Sequence, residues 1–244
     1  MAGYWYAVKR YFRFNPDEIK GLIITTLIFG FMLSFREWGT EQFQLSTGLI
    51  NFVNATLVAG LALLFRESIK RMFAIKKGYY LEYKVWIYGI LFALILAFVT
   101  RGYVVILLPG AVILYHEAGL RIGRFRYWTN TFDIFLVSIM GPAANIVLAA
   151  IFKYLSYIWP ANPLIAKAIT VNLLMAVFSG LPIPYTDGGN AFYGNRSLWA
   201  LAYGTIIFSA ILLYFLSSVF WAILAGVVMG FVCLIFWFMY VDKL

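Results

Sequence analysis

The sequence predicts an all-α polytopic membrane protein with about eight transmembrane helices. Of its 244 residues, 64% are hydrophobic and 12% are charged, about half the charged fraction of an ordinary soluble domain. The mean hydropathy is +0.87, and the apolar residues occur in runs of about 20, the length that crosses a bilayer as a helix. Because backbone in lipid must satisfy its own hydrogen bonds, we expect each span to be helical.

The elements follow in order along the chain. The N-terminal stretch MAGYWYAVKRYFRFNPDEIK is basic and aromatic and lacks the apolar core of a signal peptide, which is typical of a segment lying at the membrane interface. The polar loop 66–84 suits an interfacial helix or a short strand. Pro109 and Gly110 predict a kink or a close helix contact in the fourth span. The predicted spans are 20–36, 47–65, 84–100, 103–120, 132–158, 164–182, 198–217 and 219–240.

Basic residues are distributed unevenly between the two sides of the predicted spans. With the N-terminus inside, fifteen of the 19 lysines and arginines lie in cytoplasmic segments, which leaves four outside. This bias follows the positive-inside rule and predicts cytoplasmic termini in a plasma-membrane protein. It also accounts for the net charge of +9 through contacts with the lipid bilayer, without nucleic acid as a partner. Cys233 is the single cysteine, so a disulfide within one chain is excluded.

Two carboxylates fall at membrane depth, where each charged group is a functional candidate. Glu117 follows His116, the only histidine of the chain. Asp187 lies in GLPIPYTDGGN, whose prolines and glycines cannot continue a regular helix. Broken backbone at this depth must be surrounded by protein or line a water-filled cavity. We therefore expect both acids near the cytoplasmic level, although an ordinary loop around Asp187 and a snorkelling Glu117 explain the composition equally well.

Three stretches carry recognisable motifs: YHEAGL, IMGPAANIVLAAI and NLLMAVFSGLPIPYTDGG. In the same order, they resemble the motifs of the site-2 protease family of intramembrane zinc metalloproteases. YHEAGL at 115–120 resembles the start of the family's H-E-x-x-H helix, and IMGPAANIVLAAI at 139–151 resembles its G-P-x-x-N segment. NLLMAVFSGLPIPYTDGG at 172–189 resembles its N-x-x-P-x-x-L-D-G signature. The resemblance covers about 103–192 and implies a three-helix core. We accordingly predict an interfacial segment with three accessory helices over 1–100, the core over 101–195 and two further helices over 196–244.

The resemblance also implies a role for each matching residue. His116 and Asp187 match zinc ligands, and Glu117 matches the general base that activates zinc-bound water. Asn145 is expected to hydrogen-bond to Asp187 or to backbone freed by the prolines. Ser179 stands where the family usually has an asparagine thought to hold the substrate or oxyanion. The residues implied to have a structural or substrate-binding role are Gly141, Pro142, Asn145, Ser179, Pro182, Pro184 and Gly188.

Leu120 is the main departure from the family pattern. It occupies the position of the second histidine, and a histidine four residues after His116 would lie on the same helical face and reach the same ion. With two ligands remaining, the sequence predicts weak or absent zinc binding. It therefore favours a pseudoprotease that binds a transmembrane partner or complex. Two alternatives stay open: an active intramembrane metalloprotease that cleaves a membrane-anchored substrate, and an ion or proton transporter that uses Glu117 and Asp187.

Overall fold

The computed structural model describes residues 2–39, 42–116 and 129–241. These residues form nine α-helices and a two-stranded ribbon, and a short π-helical turn, Trp237–Val241, follows the last helix. In chain order the elements are α1 Ala2–Tyr11, α2 Pro16–Ser34, α3 Leu45–Lys77, β1 Tyr79–Lys84, α4 Ile87–Val99, β2 Ala111–His116, α5 Thr131–Ile158, α6 Pro163–Ser179, α7 Asp187–Gly194, α8 Arg196–Phe215 and α9 Val219–Phe236.

The starts of α5, α6 and α8 are fixed by asparagine side chains that accept hydrogen bonds from the first turn. Asn130 accepts from the backbone of Phe132, and Asn162 accepts from Leu164, each at 3.0 Å. Asn195 accepts from Leu198 at 3.0 Å in the same way. Such caps satisfy N–H groups that have no partner within their own helix. The predicted starts of these three helices, at 132, 164 and 198, lie within two residues of the observed starts.

Among the described residues, four helices are long and apolar enough to cross a membrane: Leu45–Lys77, Thr131–Ile158, Arg196–Phe215 and Val219–Val241, the last including the π-helical turn. This confirms the predicted all-α membrane protein. Helix α5 is central, since most of its apolar stretch is buried, and it packs against α3, α6, α7 and α8. Helices α4 and α6 are apolar but shorter. The predicted number of eight spans is not confirmed.

The predicted transmembrane helix at 103–120 is wrong. Residues 103–110 are not helical, and 111–116 form β2. Gly102 packs against Phe35 and Arg36 at the end of α2, whereas Gly110 packs against Lys84 and Trp86 beside β1. Residues 103–110 thus connect the two ends of the bundle without forming a helix. Eight residues can do so, since an extended chain of that length covers about 26 Å.

The local sequence explains why this crossing is not a helix. Pro109 lacks an N–H group, and Gly110 has a positive φ of 96°, a backbone conformation that favours glycine. Leu107 and Leu108 are buried, so the protein rather than lipid surrounds this backbone, as non-helical chain at membrane depth requires. The sequence predicts a span here because an apolar run of this length is also typical of a transmembrane helix.

The ribbon of β1 and β2 is antiparallel, with Tyr79 opposite His116 and Lys84 opposite Ala111. It confirms the short strand that the sequence allowed within 66–84. Tyr83 of β1 is buried; its hydroxyl donates to the carbonyl of Pro109 and lies 3.1 Å from the Thr25 hydroxyl. Burial raises the pKa of the Tyr83 phenol, so the phenol remains a donor. Tyr83 therefore ties the extended crossing to β1 and α2.

The charged C-terminal part of α3, residues 66–77, defines what we call the basic end of the bundle. Here Arg71 lies 2.5 Å from the carboxylate of Glu18, whose side chain is also buried. The same carboxylate accepts the backbone N–H of Tyr83 at 2.7 Å and that of Asn15 at 2.7 Å. Glu18 thus joins the start of α2, the end of α3 and β1, and it fixes the level at which the candidate site lies.

Candidate functional site

Asp187 is positioned by the sharp connection between α6 and α7. The hydroxyl of Thr186 accepts the backbone N–H of Gly189 at 3.0 Å and donates to the carbonyls of Leu181 and Ile183. Asp187 is then the first residue of α7, where the helix dipole favours a carboxylate. Its side chain is completely buried. A buried carboxylate requires positive partners, and α3 supplies them.

The carboxylate of Asp187 lies between two cationic side chains. Arg66 donates to its Oδ2, and Lys70 Nζ lies 3.2 Å from Oδ1 and 3.0 Å from Oδ2. Glu67 completes the group, because its Oε1 lies 2.7 Å from Lys70 Nζ and 3.4 Å from Arg66 Nε. All four side chains are fully buried. We call these four residues the charge cluster; it combines two basic and two acidic side chains, whose formal charges balance.

Helix α5 closes the charge cluster from the other side with the G-P-x-x-N segment. A Cβ atom at Gly141 would lie 2.5 Å from Asp187 Oδ2 and 3.0 Å from Lys70 Cδ, so only glycine permits this approach. The sequence motif therefore meets Asp187 in space. Pro142, the next residue, is buried inside α5.

Asn145 lies one turn further along α5 than Gly141 and is fully buried. Neither polar atom of its side chain has a hydrogen-bond partner within the described parts of the chain. The predicted bond from Asn145 to Asp187 or to freed backbone is therefore absent, because Arg66 and Lys70 occupy the carboxylate instead. The hydroxyl of Ser138, one turn before Gly141, is likewise buried without a partner.

The remaining residues of the signature have structural positions. Ser179 ends α6 and is buried; its hydroxyl donates to the carbonyl of Met175 at 2.6 Å. Pro182 and Pro184 lie exposed in the connection. Gly188 lies so close to the backbone of Gly180 that a Cβ atom would come within 2.1 Å of its carbonyl. These residues shape the turn that presents Asp187.

The predicted His-Glu motif, His116 and Glu117, lies where the described residues 42–116 end. For His116 the structure gives only the backbone, which pairs with Tyr79 at the end of the ribbon. Glu117 and Leu120 lie outside the described residues. The Tyr79 hydroxyl donates to Asp133 near the start of α5 at 3.0 Å, whereas Asp187 contacts Gly141, about 12 Å further along that helix. Asn190 of α7 also bonds to the Val112 carbonyl of β2 at 3.2 Å.

The sequence alone does not reveal the two basic partners of Asp187 in α3, or Glu67, which contacts both of them. Arg66 and Lys70 belong to the basic residues that predict the topology, because basic residues that flank a span usually mark its cytoplasmic side. A usable signal was the spacing of the three residues: 67 and 70 are one helical turn apart, and so are 66 and 70. The spacing indicated a shared face, but nothing in it pointed to a partner more than a hundred residues away.

The chain is similar to a protein of Methanocaldococcus jannaschii that carries the name "Putative zinc metalloprotease". The two are 27% identical over 214 residues, which cover 86% of this chain and 98% of that protein. No protein-family model matches the chain. No solved structure matches it. The similarity covers most of both chains and supports a relationship to zinc metalloproteases.

Zinc, which that name implies, does not fit the described part of the site. Within residues 2–39, 42–116 and 129–241, no group of three or more His, Cys, Asp or Glu side chains is arranged to hold a metal. Asp187 is already neutralised by Arg66 and Lys70. A divalent cation placed at its carboxylate would lie beside two fixed positive charges in a buried setting, where electrostatic repulsion is strong.

Proposed function

We propose that this protein is a site-2-protease-like pseudoprotease: a membrane protein that keeps the protease scaffold, performs no peptide hydrolysis and binds a transmembrane partner or complex. The similarity to a protein named as a zinc metalloprotease supports the scaffold. Leu120, in place of the second histidine, supports the loss of chemistry. In this proposal His116 and Asp187 are vestigial zinc ligands, and Glu117 is a vestigial general base.

The observation that carries the proposal is the contact of Asp187 with Arg66 and Lys70. Asp187 matches the ligand that a second helix contributes to the zinc site. In this chain Arg66 and Lys70 provide the positive charge beside Asp187 that a zinc ion provides in a metalloprotease. The carboxylate therefore has its counter-charge without a metal, and the buried cluster is neutral. A catalytic zinc needs three protein ligands and an open position, and among the described residues Asp187 belongs to no group of three side chains that could hold a metal.

A groove between α6 and α8 is the face that we assign to the partner helix. It has a volume of about 240 Å³ and is lined largely by apolar side chains, among them Leu174, Val177, Ile211 and Phe215. Two of these, Ile211 and Phe215, are exposed, as expected for a surface that meets lipid or another helix. Van der Waals packing drives helix association in membranes, and a groove of apolar side chains provides it.

Restoring the missing ligand and removing the competing charge tests the proposal. We expect Leu120→His alone to raise the zinc content only partly, since Lys70 still neutralises Asp187. Leu120→His combined with Lys70→Met should hold more zinc than either single variant, because it restores the ligand and leaves the site one charge more negative. Elemental analysis of the purified variants measures this order. Full occupancy in Leu120→His, with no gain from Lys70→Met, would contradict the role of the charge cluster.

An active intramembrane zinc metalloprotease is the second candidate, and the name of the M. jannaschii protein favours it. It requires a third ligand from water, the substrate or another subunit. The two candidates differ in one measurement on membranes that contain a single-span reporter protein. Cleavage by the wild-type protein that is lost in both Glu117→Gln and Asp187→Asn would favour the active enzyme. If the protein is a pseudoprotease, the reporter stays intact with the wild type and with both variants.

We also propose that both termini are cytoplasmic and that the protein resides in the plasma membrane, as the distribution of basic residues indicates. Single cysteines introduced at Lys76 and Gln44, both exposed, test this orientation in a Cys233→Ala background. A reagent that cannot cross the membrane should label the cysteine at 44 in intact cells and the cysteine at 76 only after permeabilisation. Labelling of both from outside would contradict the orientation.

A further inference from the structure

A polar pocket lies at the basic end, away from the charge cluster. It is lined by Arg10, Tyr11, Arg13, Asn15 and Tyr80, and its volume is about 410 Å³. Its walls come from the last turn of α1, the connection to α2 and strand β1. The proposed function does not involve any of these five residues.

The pocket carries positive charge that its surroundings do not neutralise. Within the described residues, neither Arg10 nor Arg13 forms an ion pair. The two acids of the adjoining turn are already engaged: Asp17 pairs with Lys20 at 3.3 Å, and Glu18 pairs with Arg71. Guanidinium groups present several N–H donors in a planar fork that matches phosphate oxygens. Two unpaired arginines around one pocket therefore indicate an anionic ligand, phosphate in particular.

The backbone of the pocket is held in place before any ligand binds. Arg71 donates to the carbonyl of Arg13, and its guanidinium lies 4.2 Å from the centre of the Phe14 ring. Glu18 accepts the backbone N–H of Asn15 at 2.7 Å. A site that is already ordered loses less entropy on binding.

The depth of the pocket identifies the source of the phosphate. Helix α1 presents Trp5 and Tyr6, which are 56% and 65% exposed, as is typical of a segment at the headgroup level. Tyr4 donates to the carbonyl of Met72 at 3.2 Å, so α1 lies against the basic end of α3. Arg71, beneath the pocket, is six residues or about 9 Å beyond the apolar stretch of α3. That distance places Arg71 at the outer boundary of the headgroup layer, which is about 5–8 Å thick on each side of the hydrocarbon core.

We propose that this pocket binds the phosphate headgroup of an anionic membrane lipid, with Arg10 and Arg13 as the contacting residues. The lipid then fixes α1 to the membrane surface beside the basic end of α3. The bound class is a phosphate monoanion on a diacyl or equivalent lipid, because two guanidinium groups offer the planar N–H donors that the oxygens of one phosphate accept.

The test measures retention of phosphatidylglycerol by the purified full-length protein, with native mass spectrometry and phosphatidylcholine as the neutral comparison. Each basic residue near an anionic surface contributes enough that the loss of two should weaken the tightest phosphatidylglycerol site about 30-fold. We expect this loss in Arg10→Gln/Arg13→Gln. The matched control, Lys84→Gln/Lys153→Gln, removes the same two charges elsewhere and should bind as the wild type does.

Three results would overturn the proposal. Equal losses in both double variants would mean a diffuse attraction rather than a site. Unchanged binding in Arg10→Gln/Arg13→Gln with a lower unfolding temperature would mean that the arginines only compensate the C-terminal dipole of α1. Inorganic phosphate that binds in detergent with the same dependence on the arginines, and with no preference for the lipid, would reassign the site to a soluble anion.

Discussion

Replacing Asp187 with asparagine should destabilise the protein strongly, even when no metal is present. The carboxylate contacts Arg66 and lies 3.0 Å from Lys70 Nζ, and all of these side chains are fully buried. Asparagine keeps the size of the side chain but leaves the cluster with a net positive charge. Removing one partner of a buried ion pair costs about 3–5 kcal/mol. For a chain of this length that corresponds to a fall of about 10 °C in the unfolding midpoint.

A second substitution distinguishes charge balance from general damage to packing. Lys70→Met leaves the cluster with a net negative charge and should also destabilise the protein. In Asp187→Asn/Lys70→Met, Arg66 and Glu67 remain as a neutral pair, so the double variant should lose about 1–3 kcal/mol less than the sum of the single variants. Asp17→Asn is the control, because its ion pair is solvent-exposed and contributes little.

Thermal unfolding in detergent with a metal chelator, followed by tryptophan fluorescence, measures all four variants against the wild type. The chelator removes any contribution of bound zinc to the unfolding midpoint. Asp187→Asn with wild-type stability would refute the charge cluster as the structural anchor of α7. Strictly additive effects of Asp187→Asn and Lys70→Met would show that the two side chains do not interact.

Two further substitutions test the packing around the site. Gly141→Ala should lower the free energy of unfolding by about 1–3 kcal/mol, because its Cβ would lie 2.5 Å from Asp187 Oδ2. Gly60→Ala is the control: its Cβ would lie 3.1 Å from the methyl group of Thr26, so it should change the unfolding midpoint much less. Equal effects of the two alanines would contradict the close approach. Tyr83→Phe should cost about 1–3 kcal/mol, because it leaves the buried Pro109 carbonyl without its donor. If the Tyr83→Phe variant unfolds at the same midpoint as the wild type, this hydrogen bond does not anchor the extended crossing.

Most helices were predictable because their signals are local. Apolar runs of about 20 residues and polar caps such as Asn130 and Asn162 mark where α5 and α6 begin. The crossing at 103–110 was not predictable from length and apolarity alone, since an extended chain buried in protein has the same composition as a helix in lipid. Pro109 and Gly110 predict a break in regular structure, but the same pair of residues is compatible with a kinked helix and with the absence of a helix.

The candidate site was predictable only in part for the same reason. The order of the motifs led to Gly141 and Asp187, which the structure brings into contact. The charge cluster depends on Arg66 and Lys70, and their distance from Asp187 in sequence hides the contact. A cation that neutralises a buried acid and a cation that marks a membrane boundary are the same residue types, so only the tertiary structure separates them.

The zinc content of the purified wild-type protein tests the central claim most directly. We expect well below one zinc per chain, with no further loss in His116→Ala or Asp187→Asn, because Arg66 and Lys70 already neutralise the carboxylate that would bind the ion. One tightly held zinc per chain, lost in both variants, would contradict the pseudoprotease proposal and identify an active metal site.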